Sequence, residues 1–318
     1  MTAQTITVHN TEIAPGQQEV VKLSVGRLPS GNLIRMQAHV YRSLRRGPVI
    51  LVLAGVHGDE VNGVEIVRRT IRQGYFENLQ CGTVIAIPIL NLYGFINFSR
   101  EVPDGKDINR SFPGNSQGSL ASRVARILTK KILPLADIVV DFHTGGRSHY
   151  NYPQVRYTKG DLLSEKLARA FAPPYLVAKP TIPKSLRKVA LERGKPTLVF
   201  EGGESLRYDG LSIEKGLAGI RRLLYAQEMI KEPGPVPEQV MDFGKTTWIR
   251  APRAGMFLWY KCSGHQTYKG EVIGEINNPY GEGTVKVMAS RDGYIIGHNN
   301  APVVSQGDAL FHLGYEWG

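Results

Sequence analysis

The stretch VLAGVHGDEVNG (52–63) carries an imidazole and a carboxylate three residues apart, His57 and Glu60, directly after an apolar run. Acidic residues at such a place favour the positive end of a following helix, which accounts for Asp59 and Glu60 but leaves His57 unexplained. Side chains at i and i+3 can point the same way, so the pair also reads as half of a metal site. A second imidazole, His143, leaves another apolar run in VVDFHTGG. With His57 and Glu60 it completes two histidines and one carboxylate, a ligand set of catalytic zinc that keeps a fourth position for water. Asp141 or Asp59 is expected to orient a ligand imidazole, and the sequence does not choose between them. Zinc lowers the pKa of a bound water to about 7, and a nearby carboxylate can take its proton and return it to a leaving group. Glu201, in TLVFEGGE, sits at the end of an apolar run and is expected in that role; Glu204 is expected to be an exposed loop acid.

The stretch NFSREVPDGKDINRSFPG (97–114) adds Arg100, Asn109 and Arg110, residue types that polarise a carbonyl and hold a carboxylate. Taken alone it reads equally as a surface loop stiffened by Pro103 and Pro113, with Asp107 paired to an arginine.

Bringing these residues together requires elements that end at one place. Four short apolar runs, PVILVLAG (48–55), TVIAIPIL (83–90), ADIVVDF (136–142) and PTLVF (196–200), are rich in Val and Ile without strict alternation. Such runs suit strands buried on both faces. Between them VNGVEIVRRTIRQG, GSLASRVARILTKKIL and DLLSEKLARAFA read as amphipathic helices. The alternation predicts an α/β fold with a mostly parallel or mixed sheet flanked by helices. Ligands bind beyond the carboxyl ends of strands in such sheets, and His57 with Glu60, Asn91, His143 and Glu201 all follow those ends.

The segment 230–247, with its prolines and glycines, reads as a linker. Beyond it a faint repeat pairs APRAGMF (251–257) and KGEVIGEI (269–276) with ASRDGYI (289–295) and QGDALFHL (306–313). The expected division is a catalytic α/β domain over 1–242 and a small C-terminal all-β module over 243–318. The module resembles a biotinyl/lipoyl-like barrel but has NNPYGEG (277–283) where a Met-Lys-Met turn would carry a covalent cofactor. A structural or substrate-gating role is therefore expected.

Composition narrows the class. With 318 residues, 42% hydrophobic and 21% charged, the chain is ordinary for a globular protein. Neither a signal peptide nor an apolar run of about 20 residues is apparent, and Cys81 and Cys262 do not resemble a disulfide framework. A cytoplasmic protein without membrane association is expected. The net charge is +11, and residues 243–318 contribute only +1 of it. This excess suits a solvated surface or a small anionic substrate. Nucleic acid is not expected as a partner, because the basic residues are scattered without interleaved aromatics. A homo-oligomer is compatible with all of this.

Taken in order, H-x-x-E, R…D-I-N-R-S-F-P-G, D-F-H-T-G-G and F-E-G-G resemble the succinylglutamate desuccinylase/aspartoacylase family, a branch of the zinc carboxypeptidase-like fold. The resemblance spans roughly residues 48 to 230. It implies one zinc per chain on His57, Glu60 and His143, with Glu201 as general base and acid. It further implies that Arg100 stabilises the oxyanion and that Asn109 and Arg110 bind substrate carboxylate. The subgroup it resembles most is that of N-acetyl-diaminobutyrate deacetylases, which makes acetylated diaminobutyrate the first substrate to try. The expected activity is removal of a short acyl group from an N-acylated amino acid. The rival readings are a metallocarboxypeptidase acting on peptides and a non-catalytic binding protein on the same scaffold.

Overall fold

The computed structural model describes residues 3–236 and 239–317. The four apolar runs form the strands Val49–Ala54, Thr83–Ile87, Ile138–Gly145 and Thr197–Glu204, all mutually parallel where they pair. Their lack of alternation has a direct cause. Leu51 and Leu53 face one apolar cluster, with Ile85, Val124 and Leu128, whereas Ile50, Val52 and Ala54 face another, with Phe142, Phe171 and Phe200. Each fully buried side chain of this kind contributes about 1.5–3 kcal/mol.

Helix Val61–Arg72 packs on the second face together with Leu162–Phe171 and Gly210–Ala226. Helix Leu120–Ile127 covers the first and runs on through a π-helical turn over Leu128–Ile132. These are the helices expected from the amphipathic segments, and Gly210–Ala226 adds to them.

Among the described residues the large sheet has 12 strands and is mixed. Beyond Thr83–Ile87 it continues with the antiparallel strands Leu33–Arg42 and Gln18–Arg27. Beyond Thr197–Glu204 come His149–Thr158, Tyr175–Lys179, Met241–Arg250, Ala309–Trp317, Gly293–Asn299 and Gln266–Thr267. The hairpin over 18–42 alternates buried and exposed residues, as Val21, Leu23 and Val25 against Lys22 and Ser24 show. One solvated face explains the pattern.

Residues 241–247 lie in the segment expected to be a linker, yet they form strand. Met241, Asp242 and Phe243 pair in parallel with Tyr175, Leu176 and Val177, and the strand continues antiparallel to Ala309–Trp317. Residues 237 and 238 of that segment lie outside the described residues. The C-terminal repeat divides between sheets. Gly255–Trp259 and Val272–Asn277 belong to a separate 4-stranded sheet, while their counterparts Gly293–Asn299 and Ala309–Trp317 extend the large one. Phe257, Ile273, Ile276, Ile295, Phe311 and Leu313 fill the space between them. Among the described residues no helix is long and apolar enough to cross a membrane, and Cys81 and Cys262 are both free.

Candidate active site

Parallel pairing places Glu201 beside His143 in register, so both project from the same face of adjacent strands. Asp141, two residues before His143, shares that face. His57 and Glu60 come from the turn between Val49–Ala54 and helix Val61–Arg72. Gly58 permits that turn to lie against Gly94 and Phe95, since a Cβ there would meet their backbone at about 2 Å. All of these side chains are buried or nearly so, with Glu201 8% exposed.

His57, Glu60 and His143 each offer a ligand atom within 4.8 Å of the others. Both imidazoles turn Nδ1 toward Glu60, at 2.7 Å from Oε1 for His57 and 2.8 Å from Oε2 for His143. Each ring has its other nitrogen held by a carboxylate. His143 Nε2 lies 2.8 Å from Asp141 and His57 Nε2 lies 3.2 Å from Asp107. A proton shared with an outer carboxylate leaves the inner nitrogen free to bind a cation, which is how ligand histidines are oriented. Of the two acids expected to orient a ligand imidazole, Asp141 does so, at His143. Asp107 serves His57, an orientation absent from the sequence reading.

The charges fit the same picture. Burial alone would raise Glu60, but His57 and His143 outweigh it and hold its carboxyl well below the ordinary range. Burial would lower both imidazoles, and the carboxylates override it: Glu60 and Asp107 raise His57, while Asp141 and Glu60 raise His143 well above an ordinary histidine. The group is built to hold extra positive charge, which a metal cation would supply in place of protons. Two imidazoles and a carboxylate with these outer partners fit zinc.

Arg100 reaches this group. Its Nη1 donates to Glu60 at 3.2 Å and its Nη2 to Asp107 at 2.9 Å. The Asp107–arginine pair of the plainer loop reading therefore exists, and it lies at the site rather than on an outlying surface. Asn91 stays out of the cavity lining. It caps helix Leu92–Ile96 by accepting from Gly94 N and donates to the Arg100 carbonyl, which positions the Arg100 backbone. Asn109 Oδ1 accepts from Leu186 N, while Arg110, exposed at the rim, donates to the Asn109 carbonyl.

His57, Glu60, His143, Arg100, Asn109 and Arg110 line one cavity of about 460 Å³ that also contains Glu201. Asn151 donates to Glu201 Oε2 at 2.9 Å and Arg156 to Oε1 at 2.8 Å. Glu204 is partly buried at the strand end and accepts from Asn300, rather than lying in an exposed loop. The sequence reading also missed Arg187, 8% exposed, whose guanidinium lines the cavity and donates to the Tyr157 and Pro180 carbonyls. Burial, then the charge of Arg156, pushes Arg187 down to about 10. Trp248 and Arg250, from the C-terminal part of the chain, complete a wall. No spacing signal could have found these three, because strand pairing and helix docking bring them in.

Comparison with known proteins agrees with this arrangement. Residues 46–226 match the succinylglutamate desuccinylase/aspartoacylase catalytic domain. The chain is 27% identical over 280 residues to the N-alpha-acetyl-L-2,4-diaminobutyric acid deacetylase of Halomonas elongata, covering 83% of this chain and 81% of that protein. The crystal structure of a succinylglutamate desuccinylase/aspartoacylase from Rhodobacter sphaeroides superposes with a TM-score of 0.83 at 27% identity, over 94% of this chain and 96% of that one. The ectoine utilization protein EutE (DoeB) of Ruegeria pomeroyi, in its product-bound structure, shares the fold with a TM-score of 0.83 at 23% identity, over 94% and 95% of the two chains. The match over more than half its length shows that the chain belongs to the succinylglutamate desuccinylase/aspartoacylase family, a family of deacylating hydrolases.

Proposed function

We propose that the protein is a zinc-dependent amidohydrolase that removes a short acyl group from a small N-acylated amino acid bearing a carboxylate. One observation carries the reading. Two imidazoles converge on Glu60 with their outer nitrogens held by Asp141 and Asp107, in the cavity that contains Glu201.

His57, Glu60 and His143 would hold the metal, which when bound polarises a carbonyl and makes water acidic near pH 7. Glu201, oriented by Asn151 and Arg156, takes the proton of the attacking water and passes it to the leaving amine. Arg100, already anchored on Asp107, directs its guanidinium at the carbonyl oxygen as negative charge develops there. Asn109 and Arg110 hold the substrate carboxylate, with Arg110 at the rim as the first charge an anion meets. The +10 carried by the first 242 residues draws such an anion in. The sheet and its strand-end site support a zinc carboxypeptidase-like reading of the fold. Residues 243–318 are proposed to act as a unit that narrows the cavity to small substrates.

Metal analysis combined with a panel of acetyl, succinyl and aspartyl amides tests the proposal. About one zinc per chain and release of free amino acid from at least one amide are expected. Zinc-loaded protein that cleaves C-terminal residues from peptides and none of the amides would overturn it.

A further inference from the structure

One wall of the cavity is built differently from the rest. Strand Met241–Arg250 turns Trp248 and Arg250 toward the cavity, while Ile249 between them enters the core of the C-terminal β layers. Trp248 lies directly opposite His312 on Ala309–Trp317. The two rings stack face to face, 4.1 Å between centroids and 5° between planes. His149, also lining the cavity, meets the same indole edge-on at 6.1 Å.

His312 is 2% exposed, and neither ring nitrogen has a hydrogen-bond partner among the described residues. Burial first, then the charges of Arg156, Lys179 and His149, hold it well below an ordinary histidine, so it is neutral at pH 7. Leaving a buried nitrogen unpaired is destabilising. What the protein obtains there is a flat neutral backing that fixes the indole plane. Trp248 itself remains 41% exposed while lining the cavity, so the indole is held rigid and still open to a ligand.

Among the described residues, every carboxylate lining the cavity is already engaged by a neighbour. Glu60 is taken by His57, His143 and Arg100, and Glu201 by Asn151 and Arg156, while Asp141 bonds His143 through Oδ2 and keeps Oδ1 buried away from solvent. Arg187 and Arg250 donate to backbone carbonyls and keep their charge facing the cavity. A cation over an indole face is attracted by the ring, but Arg250, two residues along the same strand, opposes it.

We propose that Trp248, positioned by His312, forms a specificity subsite for a flat apolar group at the end of the substrate lying away from the His57–Glu60–His143 group. A substrate with an ammonium side chain, diaminobutyrate's included, is disfavoured there. This rests on the amidohydrolase reading for its reaction, though not for its binding.

Zinc-loaded protein is assayed with N-acetylglycine, N-acetylphenylalanine, N-benzoylglycine and Nα-acetyl-diaminobutyrate, and binding of the free amino acids is followed by calorimetry. At least one phenyl substrate should exceed both other amides in kcat/KM by roughly 10-fold or more, a span one apolar pocket can supply. Which phenyl substrate gains identifies the end that meets Trp248. Trp248→Ala should erase the advantage chiefly through KM. His312→Phe should keep it and His312→Ala should lose it, since only the flat backing matters. Preference of the wild type for the diaminobutyrate derivative, or an unchanged substrate ratio in Trp248→Ala, overturns the subsite. If no amide is cleaved but phenylalanine binds more tightly to wild type than to Trp248→Ala, the subsite stands and the amidohydrolase reading falls. Equal binding in that case overturns both.

Discussion

The two sides of the cavity solve opposite problems. At the strand ends, His57, Glu60, His143, Asp107 and Arg100 hold one another through charge-assisted hydrogen bonds of 2.7–3.2 Å. On the C-terminal wall, Trp248 and His312 meet by stacking, and neither imidazole nitrogen of His312 is hydrogen-bonded among the described residues. The first side fixes atoms by direction, as a metal and a proton transfer require. The second fixes a plane, which discriminates by shape. The same residue type is therefore tuned in opposite senses: carboxylate partners raise His57 and His143, whereas burial among cations lowers His312.

The contrast breaks first at the metal group. His57→Ala or His143→Ala should lose the zinc that wild type retains, along with activity, because each removes one of three ligands. Full occupancy by elemental analysis in both variants would end the comparison. Next comes Glu201. Glu201→Gln keeps size and packing, so fold and zinc should survive while kcat falls by roughly 10²–10⁴-fold with little change in substrate affinity. Glu204→Gln is the matched variant, since the Glu204 side chain accepts from Asn300; a larger loss there would reverse the assignment.

Asp141→Asn sharpens the comparison by testing the outer support. Metal affinity should fall by about 10–100-fold, measured by competition with a chromogenic chelator, while His143 remains in place. An unchanged affinity would mean that direction at His143 is set elsewhere. At the rim, Arg110→Ala should raise KM for substrates with a free carboxylate by roughly 10-fold and leave amide-capped analogues nearly unaffected, since an exposed charge is well screened. Equal losses on both would remove Arg110 from carboxylate binding.

The smallest effect concerns the cations behind the wall. Burial, then Arg156 and Arg187, lowers Lys179 from 10.5 to about 8. Between those two pH values the unfolded chain binds the proton that the folded one has released, so this lysine makes stability rise as pH increases from about 8 toward 10.5. Lys179→Met should flatten that rise in denaturation midpoints taken at pH 8 and pH 10. An identical slope in wild type and variant would show that Lys179 is not strained by its neighbours.

Much of the strand-end side of the cavity was legible in the chain. His57 and Glu60 share one turn, His143 and Glu201 close two apolar runs, and parallel strands deliver such ends to one edge whatever the details of packing. Asp107 was legible as the partner of an arginine, but its second contact, with His57, was not. The alternation of Val21, Leu23 and Val25 was present as well, yet a search for continuous apolar runs passes over strands with a solvated face. The segment 241–247 misled for a physical reason: nearby prolines and glycines signal a break, and nothing local shows that Met241–Phe243 will find Tyr175–Val177 as a parallel partner.

The sequence by itself determined the α/β core, the candidate ligand set and the general acid–base candidate, since each follows from residue type and short-range spacing. Tertiary structure alone decided that Asp141 serves His143 and Asp107 serves His57, that Arg156 and Asn151 hold Glu201, and that Trp248 and His312 wall the cavity. Those choices depend on register between strands far apart in the chain, and register is set by the packing of both sheet faces at once.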